Sequence, residues 1–154
     1  MVLSITICTY NRLEYLKKCL NSILDQTKSN PEIEINIIDN NSTDKTKEYI
    51  YTMQKSFPEL NYYVEKKQGI SFARNLSFEV CKGEYLAFVD DDAVINKNWL
   101  ISLLNELKNK NPNIVYGGPI YPKFENEPEK WIDKNYFVRE FKVYDGFLGT
   151  IKSK

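Results

Sequence analysis

The chain has 154 residues, with 21 basic and 21 acidic side chains, no histidine, 42% apolar residues and 14% aromatic ones. That length suits one compact domain with a substantial core, and zero formal charge argues against non-specific nucleic-acid binding, which wants a basic surplus. Without histidine, catalytic triads, histidine metal sites and histidine proton shuttles are excluded.

Strand and helix signals then alternate along the chain. Residues 2–8 read as a first strand that ends at Thr9, Tyr10, Asn11 and Arg12. Leu13, Leu16, Leu20 and Ile23 or Leu24 predict a helix by their spacing, and a polar loop follows at residues 27–31. Ile33, Ile35, Ile37 and Ile38 form a second strand closing on Asp39. In the cluster Asn40-Asn41-Ser42-Thr43-Asp44, Ser42 or Thr43 is expected to cap a helix running to about Lys55. Residues 61–64 make a short third strand, and the charged loop 65–69 precedes a helix carrying Ile70, Ala73, Leu76 or Ser77, and Val80 inward, with Gly83 as its stop. Tyr85 to Val89 is an uninterrupted apolar run, read as a buried parallel strand covered on both faces. Leu100, Leu103, Leu104 and Leu107 predict a further helix, residues 114–119 a fifth strand and turn, and the rest is less regular.

Alternation of this kind implies a parallel sheet with helices on both faces, joined by right-handed crossovers. Ligands of such sheets bind beyond the carboxyl ends of the strands, where strand order reverses. Those ends collect Thr9 to Arg12, Asp39, the 65–67 loop and the triplet Asp90-Asp91-Asp92. Three adjacent carboxylates repel one another. They suit Mg²⁺ or Mn²⁺, which take one or two carboxylates plus phosphate oxygens and water; a solvated acidic turn at a helix N-terminus is the other reading. Alternate residues of such a loop face the same way, so Asp90 and Asp92 share a side and Asp91 points elsewhere, as a turn or cap residue. Asp39 suits a uracil imide N–H or a ribose hydroxyl, or serves a turn with Asn40 and Asn41. Arg12 and Arg74, two of only three arginines, offer paired donors suited to a diphosphate, or surface salt bridges. Lys66 and Lys67 assist or face solvent, and Gly117-Gly118 allows close backbone approach or a plain turn. Neither a GxxxxGK[ST] loop nor a GxGxxG after the first strand is present.

Cys8, Cys19 and Cys81 lie apart in apolar patterns and read as buried free thiols. They point to a reducing, cytoplasmic setting. Met1 leads directly into strand-like sequence, so no signal peptide is expected, and no apolar run approaches the roughly 20 residues of a membrane span.

The segments SITICTYNRLEYLKKCLNSILDQ, IEINIIDNNSTDKT, GISFARN and YLAFVDDDAVINKNWL, in this order and spacing, resemble the N-terminal half of the family 2 glycosyltransferases. GGPIYPKFENEPEKWI is similar, less specifically, to the continuation in many bacterial members. The resemblance implies an α/β GT-A (Rossmann-like) fold, with residues 1–119 as nucleotide-sugar-binding subdomain and 120–154 as an irregular tail opening an acceptor-side region. It places Thr9, Tyr10 and Arg12 in the first nucleotide-contacting loop, Asp39 on the base and Arg74 along the diphosphate. Asp90 then faces ribose and metal, Asp92 is the main ligand of Mn²⁺ or Mg²⁺, and Asp91 completes the nucleotide-sugar-binding triplet.

The implied reaction is inverting transfer from a nucleoside-diphosphate sugar, UDP preferred, to a hydroxyl of a saccharide or lipid-linked acceptor in polysaccharide biosynthesis. Family members carry the catalytic base in a downstream segment, and this chain is expected to stop short of it. Glu125, Glu127, Glu129, Asp133, Glu140 and Asp145 match no motif. The second reading is a non-catalytic donor-binding module acting with a partner chain; a nucleotidyltransferase is third, lacking its glycine-rich loop. The aromatic tail, with Trp131, Tyr136, Phe137, Phe141, Tyr144 and Phe147, suits core, a homodimer contact or a peripheral membrane contact.

Overall fold

The computed structural model describes residues 2–28, 30–108, 115–124, 126, 127 and 129–131. The chain divides into two compact units, Met1–Leu104 and Asn105–Lys154. Among the described residues eight elements alternate in order: β1 (Leu3–Thr9), α1 (Leu13–Thr27), β2 (Ile33–Asp39), α2 (Thr46–Gln54), β3 (Leu60–Val64), α3 (Ile70–Val80), β4 (Tyr85–Phe88) and α4 (Trp99–Leu107). The strands form one four-stranded sheet in the order β3-β2-β1-β4, parallel throughout.

The two central strands are buried along almost their whole length, which requires cover on both faces. In the register Leu3↔Ile33, Ile5↔Ile35 and Ile7↔Ile37, one face is aliphatic. The alternate residues Ser4, Thr6, Glu34 and Asn36 make the other face polar although all four are buried. Strand order steps one way from β1 to β3 and then back across to β4. Right-handed crossovers therefore set α1 and α2 on one face and α3 on the opposite one. Along α1, the buried residues Leu16, Cys19, Leu20, Ile23 and Leu24 repeat at i, i+3, i+4, i+7 and i+8, the stripe of a core-facing helix. Each fully buried leucine or isoleucine there contributes about 1.5–3 kcal/mol.

α3 meets the polar face with Ala73 and Ser77, its only buried residues. Ile70, expected inward, is exposed, and Leu76 and Val80 are half-buried; the sheet face here is polar at its centre, with apolar Ile38, Leu86 and Phe88 towards its margins. Glu34 is the hub beneath this helix. Its Oε1 accepts from the Ser4 hydroxyl at 2.6 Å, the Asn36 amide at 3.2 Å and the Lys82 backbone N–H at 2.6 Å. Asn36 also donates to Cys81 Sγ at 3.3 Å, and Cys8 Sγ lies 3.9 Å from the Ser77 hydroxyl. Of the three free thiols only Cys19 is buried; Cys8 and Cys81, expected buried, are half-exposed because they sit at the two ends of this polar layer.

Gly83 does not stop α3 by a left-handed turn. The helix ends at Val80, with Cys81 extended. A Cβ at Gly83 would stand 2.5 Å from the Ser4 backbone nitrogen, so the glycine is there to let the chain pass against β1. The apolar run at Tyr85–Phe88 is likewise not a doubly covered strand. It is the edge of the sheet among the described residues, half-exposed, because the crossover from α3 carries it past β1 to the flank. Nor do Ser42 and Thr43 cap α2: that helix begins at Thr46, whose N–H donates to Asp44 Oδ1 at 3.0 Å.

Of the fifth strand, Ile114 lies outside the described residues and Val115–Pro119 form no strand. Two glycines offer no side chain to pack and Pro119 no donor; Gly118 meets nothing within 4 Å of an added Cβ. In the tail, Glu127, Glu129 and Trp131 are described, while Glu125, Asp133, Tyr136, Phe137, Glu140, Phe141, Tyr144, Asp145 and Phe147 lie outside the described residues. Among the described residues no helix is long and apolar enough to cross a membrane.

Candidate functional site

At the carboxyl ends of the strands, beside the β1–β4 reversal of strand order, opens a cleft of about 490 Å³. It is lined by Cys8 and Thr9 at the end of β1, Tyr10 and Arg12 after it, Asn40 after β2, residues 68–70, Ala73 and Arg74 at the start of α3, and Asp90, Asp91 and Asp92 after β4. Each stretch is placed by the strand or helix that delivers it.

The loop after β1 is fixed by Asn11, at φ 52° in the left-handed region that asparagine tolerates. Its side-chain oxygen accepts from the Thr43 and Asp44 backbone N–H groups at 2.7 and 3.3 Å, and its own N–H donates to the Ser42 hydroxyl at 2.9 Å. Ser42 and Thr43 thus spend their polar groups tying two strand-end loops together, which is why neither caps α2.

The acidic triplet splits. Asp91 turns inward and is 5% exposed, with Oδ2 accepting from the Thr9 hydroxyl at 2.8 Å and Oδ1 from Arg12 Nη1 at 3.0 Å. Burial pushes its carboxyl above the ordinary range; Thr9 and Arg12 pull it back in part, and Asp92 and Asp90 add to the rise. Asp92 and Asp90 turn outward into the cleft. Arg12 Nη2 donates to Asp92 Oδ2 at 2.9 Å, and Arg74 Nη2 stands 3.6 Å from Asp90 Oδ1. Desolvation works against the Arg12 charge, but Asp92 and Asp91 outweigh it and hold the guanidinium more firmly protonated than usual.

Asp39 is not brought into the cleft. It is 2% exposed, with Oδ1 accepting from the Ser42 N–H at 2.8 Å and Oδ2 from the Tyr62 hydroxyl. Burial, and this bond to Asp39, push the Tyr62 phenol well above its ordinary value, so it stays a donor. The neighbour that does line the cleft is Asn40. Sequence reasoning read it only as part of a turn; its signal was the doubled asparagine directly after a strand end. Lys66 and Lys67 line no part of the cleft, and Lys67 Nζ sits 3.9 Å over the Phe72 ring.

The outward pair Asp90 and Asp92 supplies hard oxygens beside two guanidiniums. Among the described residues no three histidine, cysteine, aspartate or glutamate side chains are grouped to hold a metal ion. This donor set fits a cation such as Mg²⁺ or Mn²⁺ that completes its shell with phosphate oxygens and water.

Residues 4–152 match the family described as glycosyl transferase family 2. The glycosyltransferase GlyG of Streptococcus pneumoniae serotype 4 is 33% identical over 118 residues, covering 75% of this chain and 38% of its own length. Among solved structures, TarS 1–349 of S. aureus in complex with UDP superposes with a TM-score of 0.72 at 24% identity, over 84% of this chain and 38% of that one. Mannosyltransferase PcManGT from Pyrobaculum calidifontis, in complex with GDP-Man and Mn²⁺, superposes with a TM-score of 0.64 at 22% identity, over 73% and 33%. The chain thus spans about two fifths of the length of GlyG and of TarS 1–349. The sheet is of the GT-A type, and the chain belongs to glycosyl transferase family 2.

Proposed function

We propose that the cleft holds a nucleoside-diphosphate sugar, a UDP-sugar for preference, together with Mn²⁺ or Mg²⁺, for inverting transfer to an acceptor hydroxyl. The observation that carries this is the convergence of Arg12 and Arg74 on Asp90 and Asp92 at the strand ends. Guanidiniums suit diphosphate oxygens, outward carboxylates suit the cation, and each is paired with the other when neither ligand is bound. A nucleotide bound to TarS and a nucleotide sugar with Mn²⁺ bound to PcManGT support the same reading here.

In the transfer, the acceptor oxygen bonds to the anomeric carbon as the bond from that carbon to the diphosphate oxygen breaks, and the acceptor proton goes to a carboxylate base. A bound divalent cation supplies Lewis-acid stabilisation of the leaving diphosphate. Asp90 and Asp92 would hold it, Arg12 and Arg74 would turn to the phosphates, and Thr9 and Tyr10 would form the wall beside the nucleoside. Asp91 fixes Arg12 from below. Asp39 acts on the base only when Tyr62 yields or shares Oδ2.

One observation favours the second reading, a donor-binding module whose partner supplies the base: among the described residues, the carboxylates lining the cleft are Asp90, Asp91 and Asp92, all engaged by arginine or threonine. Calorimetric titration with UDP and Mn²⁺, followed by a sugar hydrolysis and transfer assay, separates the two. Turnover by the chain alone supports the enzyme complete in itself, and binding without turnover supports the module. No UDP or GDP binding at any metal concentration refutes both. Asp92→Ala is expected to abolish metal-dependent nucleotide binding while shifting unfolding free energy by no more than about 1 kcal/mol, since its pair with Arg12 is surface-exposed. Unchanged Mn²⁺-dependent affinity in that variant removes Asp92 from the site.

A further inference from the structure

Asn40 lines the cleft, yet its polar atoms are directed at the chain. Its Nδ2 donates to the carbonyls of Glu65 at 3.1 Å and Lys67 at 2.7 Å, and its Oδ1 accepts from the Gly69 N–H at 2.7 Å. Its backbone carbonyl accepts from Gln68 Nε2 at 2.6 Å, and its N–H donates to the Thr9 carbonyl at 2.9 Å. One residue, 5% exposed, therefore ties the end of β1 by its backbone to the 65–69 loop that its side chain holds at Glu65, Lys67 and Gly69. That loop has no regular ladder of its own, and it opens α3 through Gly69 at φ 134°. Beyond it, Arg74 reaches Asp90 at 3.6 Å.

We infer that Asn40 is a positioning residue for the diphosphate end of the cleft: it holds the 65–69 loop, and through it the entry of α3 and Arg74, against the strand ends. The inference rests on the donor-site reading above. An amide is needed here, because a carboxylate could accept from Gly69 but could not donate to the two carbonyls.

The test is titration of the whole chain with UDP plus Mn²⁺, and separately with uridine, which lacks the diphosphate. Asn40→Ala is expected to weaken UDP about tenfold, as outer residues that orient a binding group do, and to leave uridine within about twofold. Asn40→Asp is expected to fall with it. Should Asn40→Ala fail to fold, Gly69→Ala strains the same loop with the Asn40 side chain itself left intact, since its Cβ would meet the Phe72 ring at 3.2 Å in a backbone region side chains avoid; the same split is expected. Variants that bind UDP as the wild type does overturn the inference and leave the donor site standing. Parallel loss of UDP and uridine also overturns it, by making Asn40 a nucleoside contact. A wild-type chain that binds no UDP refutes the donor site and the inference together.

Discussion

Asp91 is the member of the acidic triplet that the fold itself needs. Both its oxygens are taken, by Thr9 and Arg12, across the gap between the ends of β1 and β4. Asp91→Ala leaves a threonine hydroxyl and a guanidinium donor unpaired, and is expected to cost about 2–3 kcal/mol. The check is urea unfolding, with a lower midpoint at unchanged slope. Asp90→Ala, by contrast, breaks one exposed pair at 3.6 Å and is expected to change stability by no more than about 1 kcal/mol. Cys19 illustrates the same dependence on surroundings: burial pushes its thiol up to about 12, so alkylation by iodoacetamide at pH 8 is expected to spare it in the folded chain and reach it in urea. At this scale the sequence made the strand-end residues legible because loops at a ligand edge have few structural reasons to be charged. It did not reveal that Asp39 is withdrawn, because the group that occupies it, Tyr62, comes from a strand 23 residues away.

Elements were legible where periodicity reports burial, and less so where neighbours decide it. α1 follows its apolar stripe at Leu16, Leu20, Ile23 and Leu24, with Leu13 half-buried at its start. The strand at Tyr85–Phe88 does not, because an apolar run cannot say whether it lies at the centre or the flank of a sheet; the crossover decides that. α3 was misread for a related reason, since the face it covers is polar and only Ala73 and Ser77 fit against it. That polar layer carries a pH signature. Burial alone would raise the Glu34 carboxyl, but the Lys82 N–H, Ser4, Asn36 and the Lys82 charge outweigh it and hold it below its ordinary value of 4.5. A carboxyl lowered by folding contributes stability that is present above its unfolded value and is lost as pH falls through the folded one. Wild-type stability is therefore expected to drop below about pH 4.5, and Glu34→Gln, which cannot ionise, to show a flatter acid limb in pH-dependent thermal unfolding. Gly83→Ala is expected to destabilise by about 1–3 kcal/mol, because the added methyl meets backbone rather than a movable side chain.

For the whole molecule, the order β3-β2-β1-β4 is what turns four separate strand-end loops into one cleft, since reversal at β1 leaves a gap above the sheet that no crossover fills. The fold class was legible from alternation alone; the cleft's wiring was not, because Asn11 and Asn40 bond to partners far along the chain. A ligand that binds only the folded chain stabilises it by mass action, about 2.7 kcal/mol at a hundred times its dissociation constant. UDP with Mn²⁺ is thus expected to raise the unfolding temperature more than the sum of the two added singly; strict additivity would mean separate sites.

Among the described residues, the charged side chains lining the cleft are Asp90, Asp91 and Asp92 against Arg12 and Arg74, three negative charges to two positive. With a surplus of one negative charge, the open cleft repels a lone diphosphate and attracts a lone divalent cation. Added salt screens both effects. Raising ionic strength should therefore strengthen the binding of UDP alone while weakening that of Mn²⁺ alone. Opposite salt slopes for the two ligands would be the imprint, in solution, of one surplus carboxylate charge at the end of a strand.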